Sequence, residues 1–313
     1  MDERRLGRRE VELPRILLGC GNFGGIGSAP QFFGKGESRE AAFALMDRAW
    51  ELGITAFDTA DAYGGGASET WIGEWLRATG HRPTIVTKTF NPMRAGADHG
   101  LAPARIRRQI SSSLERLGVE TVDVYLAHAF DPDTPLAETI GTFEELRDAG
   151  AVKAYGVSNF DAVQLREAFD VGRPEFVENS YSLLERRDGA DVLPLCREHG
   201  LGYMAFSPLA GGWLAGRYHR GEQPPPGSRM AMRPEGYEHL GDERTFASLD
   251  AFAAAAADLG VSSGGLAVAW VLAQPDVAAV IIGPRRPAHL DVVEEALGLG
   301  LSVEQASELA ALF

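Results

Sequence analysis

The chain has 313 residues, 45% of them hydrophobic, with 44 acidic against 30 basic side chains and a formal net charge of -14. So acidic a surface repels nucleic acid and anionic membranes, which excludes both as expected partners, and any phosphorylated ligand needs a local arginine cluster. Two cysteines, Cys20 and Cys196, are too few for a disulfide framework and read as reduced thiols of a cytoplasmic protein; no stretch has the ~18 consecutive apolar residues of a membrane span, and the charged start MDERRLGRRE lacks a signal peptide's apolar centre.

Along the chain, short apolar runs recur at 15–20, 54–57, 84–87, 122–127, 152–157, 175–177, 201–206 and 277–282. Between them lie stretches of helical spacing at 38–52, 68–79, 103–117, 135–149, 162–171, 191–199 and, in two pieces broken by GVSSGG, 245–272. Strands of ~4–8 residues alternating with helices predict a parallel sheet with right-handed crossovers. Eight such units predict one α/β domain over 1–313, a (β/α)8 TIM barrel with an N-terminal hairpin and long loops at its C-terminal rim. A doubly wound open sheet is the alternative. Gly19, Gly21 and Gly24 in GCGNFG fit the spacing of a dinucleotide fingerprint, but that fingerprint must open its helix directly, and here a long stretch through Gly36 intervenes. Ser38, Pro103 and Pro135 stand where helices start. Residues 211–244, rich in Gly, Pro and Arg, are long enough for a functional loop.

Barrel sites are built at the C-terminal ends of the strands, so polar residues there are the site candidates. In order these are Asn22, Asp58, Lys88, His128, Ser158 with Asn159, Glu178 with Asn179, Ser207, and Gly283 followed by Arg285 and Arg286. Taken singly, a strand-end lysine is a solvated cap and a strand-end histidine a satisfied core residue. Taken together with Tyr63, which follows Asp58 in GITAFDTADAYGGG, they form a proton-transfer set. A tyrosine hydroxyl near its usual pKa of about 10 is a weak donor at neutral pH, and Lys88 is expected to lower it by stabilising the phenolate. Asp58 is expected to hold Lys88 charged, and His128 to hydrogen-bond the carbonyl oxygen that Tyr63 protonates. Such a set suits carbonyl reduction, in which charge develops on oxygen as hydride reaches carbon. No side chain donates hydride, so a nicotinamide is required.

The motifs FDTADAYG, IVTKT, VDVYLAHAFD, KAYGVSNF, ENSYSLLERR, FSPLAGGWLAGRY and IIGPRR, in this order and spacing, resemble the aldo-keto reductase family over essentially the whole chain. The long loop is similar to that of its bacterial and potassium-channel β-subunit-like branches. The resemblance implies NADP(H)-dependent reduction of a small-molecule aldehyde or ketone by a tetrad of Asp58, Tyr63, Lys88 and His128, with Tyr63 as general acid. It implies that Ser158 and Asn159 meet the nicotinamide carboxamide and that Phe206 lies against the ring. Ser207, Pro208 and Leu209 with Arg217 then follow the pyrophosphate, and Gly283, Arg285 and Arg286 meet the 2′-phosphate. Gly21, Asn22, Phe23, Gly211 and His289 complete the cofactor set, with Arg229 as a clasp over it. No metal site is read.

Three departures stand out. Glu178 replaces the family's usual Gln, so as a carboxylate it accepts from the carboxamide NH2 but gives nothing to its oxygen, and its charge favours the oxidised nicotinamide. His289 takes a position often held by Gln, and Val292 and Val293 replace polar residues near the adenine. Adjacent Arg285 and Arg286, read as lying just before a helix N-terminus, supply the donors a 2′-phosphate needs. Substrate contacts are expected from 23–33, 90–99 and the long loop, with Phe32, Phe33, Met93, Trp213 and Met230 making a partly apolar pocket. The alternative function is a cofactor-sensing regulatory subunit with vestigial chemistry. The oligomeric state is left open.

Overall fold

The computed structural model describes residues 11–313 and, before them, the backbone of residues 3 and 4. Glu3–Arg4 pairs antiparallel with Leu13–Pro14, the expected hairpin. The eight apolar runs form eight parallel strands: β1 Ile16–Gly19, β2 Ala56–Asp58, β3 Thr84–Thr89, β4 Val122–Ala127, β5 Val152–Ser158, β6 Phe176–Ser180, β7 Gly202–Phe206 and β8 Val277–Ile282. They close in chain order, β8 pairing with both β7 and β1, so the chain is a (β/α)8 barrel rather than an open sheet.

Among the described residues, ten helices of eight residues or more wrap it: α1 Arg39–Glu51, α2 Ala67–Thr79, α3 Pro103–Leu117, α4 Leu136–Asp148, α5 Ala162–Val171, α6 Val192–His199, α7 Glu243–Asp258, α8 Ser263–Leu272, α9 Asp291–Leu299 and α10 Val303–Ala310. Their ends follow local chemistry. Ser38 caps α1, Asp161 closes a capping box on α5, and Gly80, Gly118 and Gly200 end α2, α3 and α6 in the left-handed region. The helix expected directly after Arg286 begins only at Asp291, behind a 3-10 turn at Pro287–Leu290, and its first turn is acidic. The 3-10 turn has Arg286 as its N-cap and runs directly into the helix, so the pair does stand at the start of a helical segment, with the carboxylates of Asp291 and Glu294 further along it.

The strands are buried on both faces, which is why each reads as an unbroken apolar run. Their inward residues, among them Leu17, Ala56, Val86, Leu126, Phe176, Met204 and Ile281, fill the barrel, with Val11 and Leu13 beside the hairpin joining them. Residues such as Ile16, Leu18, Phe57 and Tyr125 face the helices and join a larger outer core. Side chains alternate along a strand, so the residue two past an inward one also points inward. Asp58 follows Ala56 by two, Lys88 follows Val86, His128 follows Leu126, Glu178 follows Phe176 and Phe206 follows Met204. The polar strand ends are thus the next layer above the apolar plug.

Beside this layer, α2 crosses the end of α3 with no space between their backbones. A Cβ on Gly73 would lie 2.3 Å from the Arg116 carbonyl oxygen and 2.7 Å from that of Leu117. Gly73→Ala improves intrinsic helix propensity by about 1 kcal/mol, yet it should lower the melting temperature because α2 must move off α3. A melting temperature at or above the parent's would show that this contact does not set the packing.

Candidate active site

Tyr63 reaches the rim by a turn only glycine permits. It opens a 3-10 turn over Tyr63–Gly66 in which Gly64, Gly65 and Gly66 have φ of 59°, 68° and 97°. A Cβ on Gly64 would stand 2.5 Å from the Phe23 carbonyl oxygen, so the turn rests on the backbone that follows β1. The start of the turn is tied to β3: Thr59 N–H donates to Val86 O at 2.8 Å and Asp61 N–H to Lys88 O at 3.0 Å.

Lys88 is the centre of the site and is wholly buried. Its ammonium donates to Asp58 Oδ1 and, at 3.0 Å, to the Thr59 carbonyl, and Glu178 Oε1 lies 3.2 Å from Nζ. Burial works against that charge, but Asp58 and Glu178 outweigh it and hold the Lys88 pKa above its ordinary value. Nζ lies 5.3 Å from the centroid of the Tyr63 ring.

Tyr63 itself is part-exposed, its ring forming cavity wall. Burial lifts its pKa above the ordinary phenol range, with Asp58 and Glu178 adding to the lift and Lys88 opposing it. The expected lowering by Lys88 is present as a component but is not the net result. The phenol therefore keeps its proton at neutral pH. His128 stacks edge-on against it, with ring centroids 5.6 Å apart. Burial, helped by Lys88, pushes this imidazole down to about 3, so it is neutral. His128 is held through its backbone, whose N–H donates to Thr89 O at 3.0 Å and whose carbonyl accepts from Asn159 Nδ2 at 2.9 Å; its buried Nδ1 has no partner among the described residues.

Above this group opens a cavity of about 1010 Å³, at the upper end of the range for ligand sites and roomy enough for a dinucleotide with a small substrate. Asp58, Tyr63, His128 and Glu178 form its floor. Gly21, Asn22, Ser158, Asn159, Phe206, Ser207, Pro208, Leu209 and Gly211 line one stretch, and Arg217, Arg229, Gly283, Arg285, Arg286 and His289 another. Of the residues expected to bind cofactor only Phe23 is absent from the lining: its side chain is fully buried in the core. Three non-glycine residues have positive φ, Asn159 (59°), Ser207 (57°) and Ala210 (45°), and all three line the cavity. Such backbones cost roughly 1 kcal/mol or more each, and strain of this kind concentrates at functional sites.

At the far end Arg285 is occupied, its Nε 2.5 Å from Glu37 Oε1 and its NH1 donating to the Gly227 carbonyl. Arg286 Nε lies 3.2 Å from His289 Nε2, and the Arg285 backbone N–H donates to His289 Nδ1. Burial and the neighbouring arginines lower the His289 pKa. Among the described residues no carboxylate pairs with Arg217 or Arg286. The cluster keeps a net positive charge suited to a phosphate.

The long loop borders the cavity, with 3-10 turns at Ala210–Ala215, Pro234–Gly236 and Glu238–Leu240 and a four-residue helix at Arg229–Met232. It contributes Met232, Arg233, Tyr237 and Leu240 to the lining. Phe32, Phe33, Met93, Trp213 and Met230, expected to shape the pocket, are absent from this lining; Trp213 is buried in the outer core and Met230 packs against it. Arg233 covers the ring of Phe32 at 5.3 Å instead.

Two buried polar networks behind the site escaped the sequence reading. Thr89 Oγ1 donates to Asp61 at 2.6 Å and accepts from Arg105, which also binds the carbonyls of Gly100 and Asn91. Thr87 Oγ1 donates to Glu69 at 2.6 Å, and Glu69 pairs with Arg116 at 2.7 Å. Burial lifts Asp61 to about 7. The signal was the alternation in TIVTKT: with Lys88 pointing inward, Thr87 and Thr89 must face the helices and need polar partners there.

The chain is 29% identical to the NADH-specific methylglyoxal reductase of Escherichia coli, over 96% of this chain and 95% of that protein. It is 33% identical to a probable voltage-gated potassium channel subunit beta of Oryza sativa, over 90% and 87% of the two chains. The solved structure of the glycerol dehydrogenase AKR11B4 from Gluconobacter oxydans superposes with a TM-score of 0.85 at 27% identity, covering 99% of this chain and 94% of that one. The model of the aldo/keto reductase family matches residues 15–313, and the chain belongs to that family of oxidoreductases.

Proposed function

We propose that this protein reduces an aldehyde or ketone to the alcohol with NADPH in the cytoplasm, Tyr63 acting as general acid. The observation that carries the reading is a phenol in the wall of the cavity whose ring centroid lies 5.3 Å from a buried ammonium, itself within ion-pair distance of Asp58 and Glu178. A bound nicotinamide supplies hydride to the carbonyl carbon. The chain's own residues manage the charge left on oxygen. Tyr63 donates its proton to that oxygen, Lys88 steadies the phenolate so formed, and Asp58 keeps Lys88 in place. Neutral His128 offers a ring nitrogen to the same oxygen and cannot trap it as an ion pair.

The residues present suit the cofactor. Ser158, Asn159 and Glu178 would hold the carboxamide, and Phe206 would cover the ring, with Gly21 and Asn22 beside them. Ser207, Pro208, Leu209, Gly211, Arg217 and Arg229 would follow the pyrophosphate. Gly283, Arg285, Arg286 and His289 would hold the adenosine end. The Escherichia coli relative is named as NADH-specific; the arginine cluster favours NADPH here, although Glu37 already neutralises Arg285 and leaves Arg286 and Arg217 as the stronger phosphate donors.

Steady-state oxidation of NADPH, followed across a panel of aldehydes, ketones and keto-sugars, tests the reading. Tyr63→Phe should lower turnover about 100-fold or more, the usual scale of general-acid loss, with NADPH binding nearly unchanged. A variant that keeps most of its rate removes Tyr63 from the role, and an intact protein that binds NADPH tightly but turns over no carbonyl is instead a cofactor-sensing subunit. Replacing Arg285 and Arg286 together by Ala removes charge-assisted bonds of about 1.5–3 kcal/mol each and should raise KM for NADPH at least tenfold more than KM for NADH. Equal effects on the two nucleotides would take the pair out of 2′-phosphate recognition.

A further inference from the structure

Below the cavity two carboxyl groups share one cation. Asp58, Lys88 and Glu178 are 3%, 0% and 2% exposed, so solvation does little to stabilise a charge on any of them. Lys88 gives its short contact to Asp58 and a longer one, 3.2 Å, to Glu178 Oε1. Glu178 Oε2 is buried and receives no hydrogen bond from any described residue. The two carboxyl groups thus reach the same ammonium from two strand ends. Two buried carboxylates beside a single cation leave one negative charge uncompensated, and a proton on one of them removes it. Asp58, with the closer ammonium, is the one to stay ionised.

From this geometry we infer that Glu178 carries a proton in the cofactor-free barrel and releases it when the oxidised, cationic nicotinamide binds, whereas the neutral reduced nicotinamide leaves it in place. The inference rests on the cofactor site proposed above. The step balances: a protonated enzyme plus the oxidised nucleotide gives an ionised Glu178 beside a cationic ring and one proton in solution, with no change of oxidation state. In the carboxylic acid form Glu178 both donates and accepts, as the amide it replaces would, which revises the expectation of an acceptor-only carboxylate. Burial and the nearby Asp58 raise the Glu178 pKa, with Lys88 opposing.

The groups facing Glu178 are Asp58, Lys88 and, through them, Tyr63; His128 is neutral across the relevant range. The neighbouring strands contribute uncharged residues at this level, Ser158 from β5 and Met204 from β7. Binding of the oxidised nucleotide therefore tightens as pH rises, by up to about tenfold per pH unit while Glu178 remains protonated in the free protein, and binding of the reduced one does not. The bound nicotinamide then becomes easier to keep oxidised in alkaline solution.

Calorimetric titration of NADP+ and of NADPH into the full chain, in two buffers of different ionisation enthalpy, counts the protons exchanged. Expected are release with NADP+, none with NADPH, and loss of the NADP+ release in Glu178→Gln together with its pH dependence of affinity. An infrared difference spectrum of the unmutated protein should show a carboxylic acid C=O band bleached by NADP+ and untouched by NADPH. No release in the parent, or release that survives Glu178→Gln, overturns the Glu178 inference while carbonyl reduction stands. Failure of both nucleotides to bind overturns the proposed function itself.

Discussion

The ammonium of Lys88, buried where no water can reach it, is the constraint around which the rest of the site is arranged. A charge so placed survives only with close counter-charges and its hydrogen bonds filled. Asp58, the Thr59 carbonyl and Glu178 meet that need, and each comes from a strand end or the turn that follows it. Removing one partner of such a pair costs about 3–5 kcal/mol, which ties the stability of the barrel's upper layer to the same contact that serves the proposed chemistry. Burial raises the Tyr63 pKa against the pull of that ammonium and keeps the phenol a proton donor.

Rigidity beneath this layer comes from the outward-facing neighbours of Lys88. Thr87 and Thr89 point to the helices and anchor two buried networks, through Glu69 to Arg116 on α3 and through Asp61 to Arg105 on the same helix. One strand thus carries its catalytic candidate inward and its fastenings outward. The positive-φ residues Asn159, Ser207 and Ala210 add a second kind of constraint, holding β5 and the segment after β7 in conformations that aim backbone and short side chains at the cavity. A site held from behind in this way positions its groups more closely than mobile loops would.

Much of this was legible in the sequence because a parallel barrel writes itself as apolar runs ending in polar residues. Asp58, Lys88, His128 and Glu178 stood out as breaks at the ends of such runs, and the structure brings all four to one layer beside Tyr63. What was not legible depends on distance and depth. The sign of the Tyr63 shift turns on how completely burial and two carboxyl groups outweigh one ammonium, which no spacing reveals. Glu69 meeting Thr87 and Arg116 is a pairing across 18 and 47 positions of chain. The aromatic residues assigned to the pocket went to the core or beside other side chains, because composition shows that a loop is apolar but not which way it folds. The acidic start of α9, set off from Arg286 by a 3-10 turn, likewise depended on a boundary of a few residues.

Reduction of a carbonyl by hydride from nicotinamide over the Tyr63, Lys88 and Asp58 group would leave an isotopic record in the product. The direct measurement is a mass spectrum of the alcohol formed when the protein is given a carbonyl and NADPH carrying deuterium at the transferring position of the ring. Expected are one deuterium on the carbinol carbon and a hydroxyl proton from solvent. Alcohol without deuterium on that carbon, from either face of the labelled ring, would contradict hydride transfer from nicotinamide.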